Sequence, residues 1–165
     1  MGHEHELLST SFRDNVALGD AVDADVFLKR TAMDRDLAAM GRTPDSPVGA
    51  GGGMLSGGQQ ARLALARTLA HARSIVILDD PFAAVDQRTE TQILNVIRRH
   101  GQNRTLLLMS HRLAHFPECD RVLYLHDGTA TFLTHDAMLK AEPGYRALYL
   151  KQTQKGEEDQ NENEK

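Results

Sequence analysis

The sequence predicts an α/β protein: a core of parallel strands with flanking helices, a small helical subdomain ahead of it, and a C-terminal β-hairpin and helix. Three observations predict this. The runs "SIVILDD" and "TLLLMSH" are continuous, aliphatic and of strand length, and each ends in polar groups, as buried strands of a parallel sheet do. Between them "QRTETQILNVIRRHG" has the apolar spacing of an amphipathic helix, so the order strand, helix, strand implies a right-handed crossover. Asp127-Gly128, set between "RVLYLH" and "TATFLTH", is a strong hairpin turn pair.

The elements follow in order. "SFRDNVALG" reads as a short amphipathic piece closed by Gly19. Asp25 to Met40 has mixed helical spacing that predicts two short helices. Gly41 to Gly53, "GRTPDSPVGAGGG", is a loop by its Gly and Pro content. A helix then begins at "SGGQQARLALARTLAHA", with Ser56 as N-cap and Gln59 completing an S-x-x-Q capping box. Leu63, Ala66, Leu69 and Ala70 are expected on its inner face. "SIVILDD" should be buried on both faces. In the helix that follows, Ile93, Val96 and Ile97 should point inward and Gly101 should end it. Helix resumes from Ala137 to about Lys151 with a break at Pro143-Gly144. The expected organisation is residues 1–55 as a partial helical subdomain, 56–150 as the core, and 151–165 as an unstructured acidic tail without apolar anchors.

Composition narrows the class. With 165 residues, 41% of them hydrophobic, the chain can bury one ordinary core. The net charge of -4 does not suggest a nucleic-acid surface. A single cysteine, Cys119, excludes an internal disulfide framework, fits a reducing compartment and reads as a small packing residue. No apolar run approaches the ~18 residues that cross a bilayer, so this segment is expected to be soluble. His3 and His5 are too few for a metal site and read as surface residues.

Two strand ends are loaded with chemistry. Asp79 and Asp80 follow "SIVIL", and Ser110 and His111 follow "TLLLM", where open parallel sheets place their ligands. An aspartate there can order Mg²⁺ beside a nucleotide phosphate, a second carboxylate can orient or deprotonate water, and His111 can contact a terminal phosphate. Either pair alone could equally be ordinary loop polarity. In "SGGQ", a helix start offers unpaired N–H groups and a positive dipole end, two glycines let an anion approach, and Ser56 adds a hydroxyl donor. A lone "SGG" is more often a plain capped helix.

The combination is specific. "LSGGQ", "IVILDD", "AAVD" and "SH", in that order, resemble the ATP-binding cassette (ABC) family. The resemblance makes Leu55 to Gln59 the signature motif, with Ser56, Gly57, Gly58 and Gln59 toward nucleotide. Ile75 to Asp79 is then the Walker B strand, with Asp79 for the metal. Asp80 falls on the usual catalytic glutamate, Ala83 to Asp86 on the D-loop with Asp86 on the nucleotide side, and His111 on the switch histidine. "ELLSTSFRDNVALG" is similar to the segment after the exporter Q-loop, and "VGAGGG" to the exporter X-loop, with Ala50 in place of the usual Glu. The resemblance covers roughly Glu6 to Leu150.

No "GxxxxGK[ST]" occurs in the chain, and the Q-loop glutamine is absent, His3 standing near its place. The resemblance therefore implies an incomplete P-loop NTPase core: the C-terminal part of an exporter's nucleotide-binding domain, its missing half lying upstream of Met1. The implied cofactors are ATP and Mg²⁺, taken only with a complete partner cassette or a full-length chain. The implied partners are a second nucleotide-binding domain, paired head to tail, and a transmembrane domain at the cytoplasmic face of a cell membrane, with no nucleic acid. One sheet face or edge is expected to be left exposed. "LDDPFAAVD" resembles the weakened-site subunit of heterodimeric exporters. The alternatives are a stand-alone module that pairs with complete cassettes and modulates them, and a soluble ABC ATPase of DNA maintenance, which the lack of heptads and basic patches disfavours.

Overall fold

The computed structural model describes residues 6–100 and 104–163, with side-chain surroundings through 154. His3, His5 and Gly101 lie outside the described residues. The chain divides into two compact units, 1–110 and 111–165.

In the first unit, Ser11 caps α1 (Phe12–Ala17), its Oγ accepting the Asp14 N–H at 3.0 Å. The left-handed residue that closes α1 is Leu18, one position before the expected Gly19, which also has a positive φ. The two short helices are α2 (Ala24–Arg30) and α3 (Met33–Ala39), and the chain reverses between them at Ala32, φ 58°. After a 3-10 turn at Ala50–Gly52, where the Gly51 N–H donates to Ser9 Oγ at 3.0 Å, comes α4 (Gly57–Ala70).

α4 is buried on two sides. Leu63 and Ala66 join Phe12, Val16, Leu28, Met33 and Leu37 in the core of the helical subdomain. Ala61, Leu65 and Leu69 join Val76, Leu78, Phe82, Ile93 and Leu94 under the sheet. The single apolar face expected from the sequence is therefore corrected to two. Leu69 belongs to the second core and Ala70 packs only partly against the first, because Ala-rich spacing does not resolve which of two neighbours a helix serves. Arg67 ties α4 to α1, donating to the Asn15 carbonyl at 2.7 Å and to Asn15 Oδ1 at 2.6 Å.

β1 (Ile75–Asp79) pairs in parallel with β2 (Thr105–Met109), Ile75 opposite Thr105 and Asp79 opposite Met109, with α5 (Gln87–His100) between them in sequence. Val76 and Leu78 pack on the core with Leu106 and Leu108. Successive strand residues point to opposite sides, and Ile75 and Ile77 on the other face are 65% and 59% exposed. Burial on both faces is thus corrected to burial on one, as the expectation of an exposed face anticipated. On α5, Ile93 is buried and Ile97 partly so; Leu94 takes the fully buried place expected of Val96, which is half-buried.

In the second unit, β3 (Val122–His126) and β4 (Thr129–Leu133) form an antiparallel hairpin. Its two-residue turn has Asp127 at φ 45° and Gly128 at φ 75°, the left-handed pair that a type I′ turn requires. α6 (His135–Ala141) and α7 (Pro143–Asn163) follow, broken at Glu142 next to the expected Pro143-Gly144. Tyr145, Met138, Leu113 and Val122 make this unit's core, where the Tyr145 hydroxyl lies 2.8 Å from His135 Nδ1. Burial pushes the Tyr145 hydroxyl up to about 12 and holds His135 below its ordinary value. The α7 backbone stays helical through residues 151–163, which composition alone marks as an unstructured tail; Lys, Gln and Glu are good helix formers and no proline interrupts them.

Candidate functional site: the start of α4 and the end of β1

The four signature residues expected to face nucleotide stand together at the start of α4. Ser56 is the N-cap: its Oγ accepts the Gln59 N–H at 3.3 Å, and its own N–H donates to Gln59 Oε1 at 3.0 Å. The Ser56 carbonyl accepts the Gln60 N–H at 2.9 Å. Gly57 and Gly58 are the first two helical residues, whose N–H groups have no carbonyl one turn back. Among the described residues no acceptor takes either N–H, and the Ser56 hydroxyl proton is uncommitted. Three donors on an exposed, positively polarised helix end can hold an anion.

The glycines answer to different neighbours. A Cβ at Gly58 would sit 2.6 Å from the Ala84 carbonyl oxygen, whereas one at Gly57 would meet only the Ala84 Cβ at an ordinary 3.7 Å. Gly58 is therefore required by the backbone of the turn after β1, whatever the helix binds. This packing brings the signature residues beside the segment Ala83 to Asp86.

Gln59 does not reach outward. Its Nε2 donates to Asp36 Oδ1 at 2.9 Å, and Asp36 Oδ2 also accepts from Arg62 at 2.5 Å. Sequence reasoning missed Asp36 and Arg62, and named Ala84 only as part of the D-loop match Ala83 to Asp86. Asp36 and Gln59 lie 23 residues apart on different helices, and no local pattern signals their pairing.

Asp79 is the last residue of β1 and is exposed. Asp80 follows in a left-handed conformation, φ 46°, with its N–H donating to the Met109 carbonyl of β2 at 2.8 Å. This turns the Asp80 backbone sharply at the carboxyl edge of the pair, in a conformation that Asp visits more readily than most residues because a short polar side chain can bond locally. Asp86 is partly committed already: its Oδ1 accepts the Thr89 N–H at 2.9 Å and so caps α5. Hydrogen bonds from Thr89 hold its carboxyl below the usual range. His111 opens the second unit, where it is exposed and its carbonyl accepts Gln152 Nε2 at 2.7 Å.

ATP and Mg²⁺ fit these residues unequally. The donors of Ser56, Gly57 and Gly58 suit one face of a phosphate. Among the described residues no group of three or more His, Cys, Asp or Glu could hold a metal ion. A single carboxylate such as Asp79 supplies a small part of an octahedral Mg²⁺ shell, which waters and nucleotide phosphates must complete. The described residues do not by themselves build a Mg²⁺ site.

Comparison with known proteins decides the family. Residues 2–83 match the model described as ABC transporter. The chain is 35% identical over 148 residues to the multidrug resistance-like ATP-binding protein MdlA of Escherichia coli, and 33% identical over 154 residues to a probable multidrug resistance ABC transporter ATP-binding/permease protein, YheI, of Bacillus subtilis. These alignments take in 87% and 90% of the chain. The structure of a bacterial Atm1-family ABC exporter with ATP bound superimposes with a TM-score of 0.83 at 30% identity, covering 92% of the chain.

The chain belongs to the ABC transporter family.

It spans about a quarter of its ABC relatives, 25% of MdlA and 26% of YheI, and 28% of the superimposed exporter chain. Its mixed helix and strand architecture is that of an ABC exporter's nucleotide-binding domain in part. No helix among the described residues is long and apolar enough to cross a membrane.

Proposed function

We propose that this chain forms part of the nucleotide-binding domain of an ABC exporter and supplies its signature helix end in trans to an ATP held by a second cassette. The observation that carries this reading is the start of α4. It has three uncommitted donors from Ser56, Gly57 and Gly58, a geometry fixed by its own capping box, and a glycine packed on the segment Ala83 to Asp86. No GxxxxGK[ST] stretch occurs in the 165 residues, so phosphate-cradling groups must come from elsewhere. ATP bound there would supply the phosphoryl group, and Mg²⁺ would screen its charge. The chain's own part is to close one side of the phosphate with backbone N–H groups and a hydroxyl. In the complete transporter the partners are a second nucleotide-binding domain and a transmembrane domain, and closing the two cassettes drives export.

In this reading Asp80 takes the place of the family's catalytic glutamate, and His111 that of the switch histidine. Asp80 is one methylene short, and misplacement on the ~1 Å scale costs ~10²-fold in rate. This site would be the weakened one of a heterodimer, and the signature here would serve the partner's competent site.

The test uses a complete, hydrolysis-deficient ABC cassette that carries its own Walker A motif. With ATP and Mg²⁺ it is expected to retain the 165-residue chain, and to release it when Ser56 and Gly57 are both changed to Glu. The chain alone is expected to turn over no ATP. Retention that ignores nucleotide, or that survives the double change, would overturn the reading.

A further inference from the structure

The capping box at Ser56 depends on which way round the Gln59 amide sits. Oε1 must face the Ser56 N–H, leaving Nε2 pointing away, and here Nε2 meets an acceptor, Asp36 Oδ1 at 2.9 Å. The reverse orientation would set N–H against N–H at Ser56 and oxygen against oxygen at Asp36, losing both bonds at once. A backbone N–H alone would choose the orientation weakly, because water competes for it at an exposed helix end. The carboxylate chooses it strongly, since a charged acceptor makes a shorter and stronger bond.

Asp36 is in turn held in one pose. Its Oδ2 takes the Arg62 guanidinium at 2.5 Å, with the Arg62 and Asp36 side chains 13% and 19% exposed. Arg62 is anchored at both ends of its reach, to the Ala32 carbonyl at 3.2 Å and the Gly58 carbonyl at 3.3 Å. Burial raises the Asp36 carboxyl, but the hydrogen bonds from Arg62 and Gln59 outweigh it and keep the group ionised below the usual carboxylate range.

We propose that Asp36 is a positioning residue for the signature helix end: by accepting from Gln59 Nε2 while clamped by Arg62, it sets the Gln59 amide so that the capping box closes and the Ser56 hydroxyl proton and the Gly57 and Gly58 N–H groups remain free for phosphate. This role deepens the trans-acting reading and rests on it for its consequence, while its structural content is read without nucleotide.

The chemistry supplies a compensating pair. In Asp36→Asn, Arg62 claims the one remaining oxygen, so the new amide turns its NH₂ toward Gln59 and forces that amide to flip. Gln59→Glu sets two carboxylates against each other. Combined, the changes restore a donor at position 36 facing an acceptor at position 59, and the second oxygen of the introduced carboxylate is free to accept the Ser56 N–H. Amide hydrogen exchange on the full 165-residue chain, followed by NMR at Ser56 and at position 59, reads the outcome. Each single change should speed exchange about fivefold, the worth of one hydrogen bond, and the double change should return it close to the starting rate. Unfolding of a single variant is decided the same way, since the double variant must recover the fold. Exchange untouched by Asp36→Asn, or a double variant no better than the worse single one, overturns the proposal. Capture by the ATP-loaded cassette should follow the same pattern across the four chains. Should the unaltered chain fail to be captured while exchange behaves as expected, the trans-acting reading falls and the positioning role of Asp36 stands.

Discussion

In the proposed reading the start of α4 and the end of β1 both meet nucleotide, yet the chain equips them differently. At α4 the Ser56 and Gln59 side chains are answered from within: they close on each other, Asp36 and Arg62 brace Gln59, and Gly58 sits against the Ala84 carbonyl. At β1 only alternate residues are answered. Val76 and Leu78 are buried, while Ile75 and Ile77, beside Leu107 and Met109 on β2, stay 42–65% exposed. A helix satisfies its backbone internally and needs one or two neighbours to fix its end. A strand has two faces, and in an α/β core both need a covering layer. The helix end is thus completed by groups within this sequence, and the open strand face is not.

Four substitutions test that contrast. The largest effect is expected at the end of β1. In a complete heterodimeric transporter that includes this segment, Asp80→Glu should raise ATP hydrolysis by up to ~10²-fold, by restoring the reach of the carboxylate. A rate unchanged within twofold would remove the weakened-site reading. Next is the start of α4. Gly58→Ala should destabilise the chain by about 1–3 kcal/mol through its clash with the Ala84 carbonyl, although alanine is the better helix former. Gly57→Ala, meeting only a side-chain methyl at 3.7 Å, should stay within about 0.5 kcal/mol. Equal denaturation midpoints for the two variants would show that Ala84 does not constrain the helix end. The smallest effect belongs to the open face. Ile77→Thr keeps the β-branched shape and should move stability by no more than about 0.5 kcal/mol while reducing self-association measured by sedimentation. A loss of several kcal/mol there would mean that this face is already packed in solution.

Much of the fold and the site is legible in the sequence because it is local. The capping box follows from Ser56 and Gln59 three residues apart, the hairpin from Asp127-Gly128, and the parallel pair from two aliphatic runs separated by a helix. Spacing misjudges the burial of α4 because that helix divides its side chains between two cores, and periodicity reports only that a residue is apolar. The resemblance assigns Asp86 to nucleotide without notice of its α5 cap, which a carboxylate ahead of a helix could have signalled.

By itself the sequence determined the family, the order of the elements and the residue types at each loaded end, because these depend on neighbours a few positions apart. Only the tertiary structure decided that Gly58 yields its space to Ala84, that Asp36 and Arg62 brace the signature helix, and that one strand face stays open. Such pairings depend on how helices and strands approach one another across tens of residues, and sequence spacing carries no record of that approach.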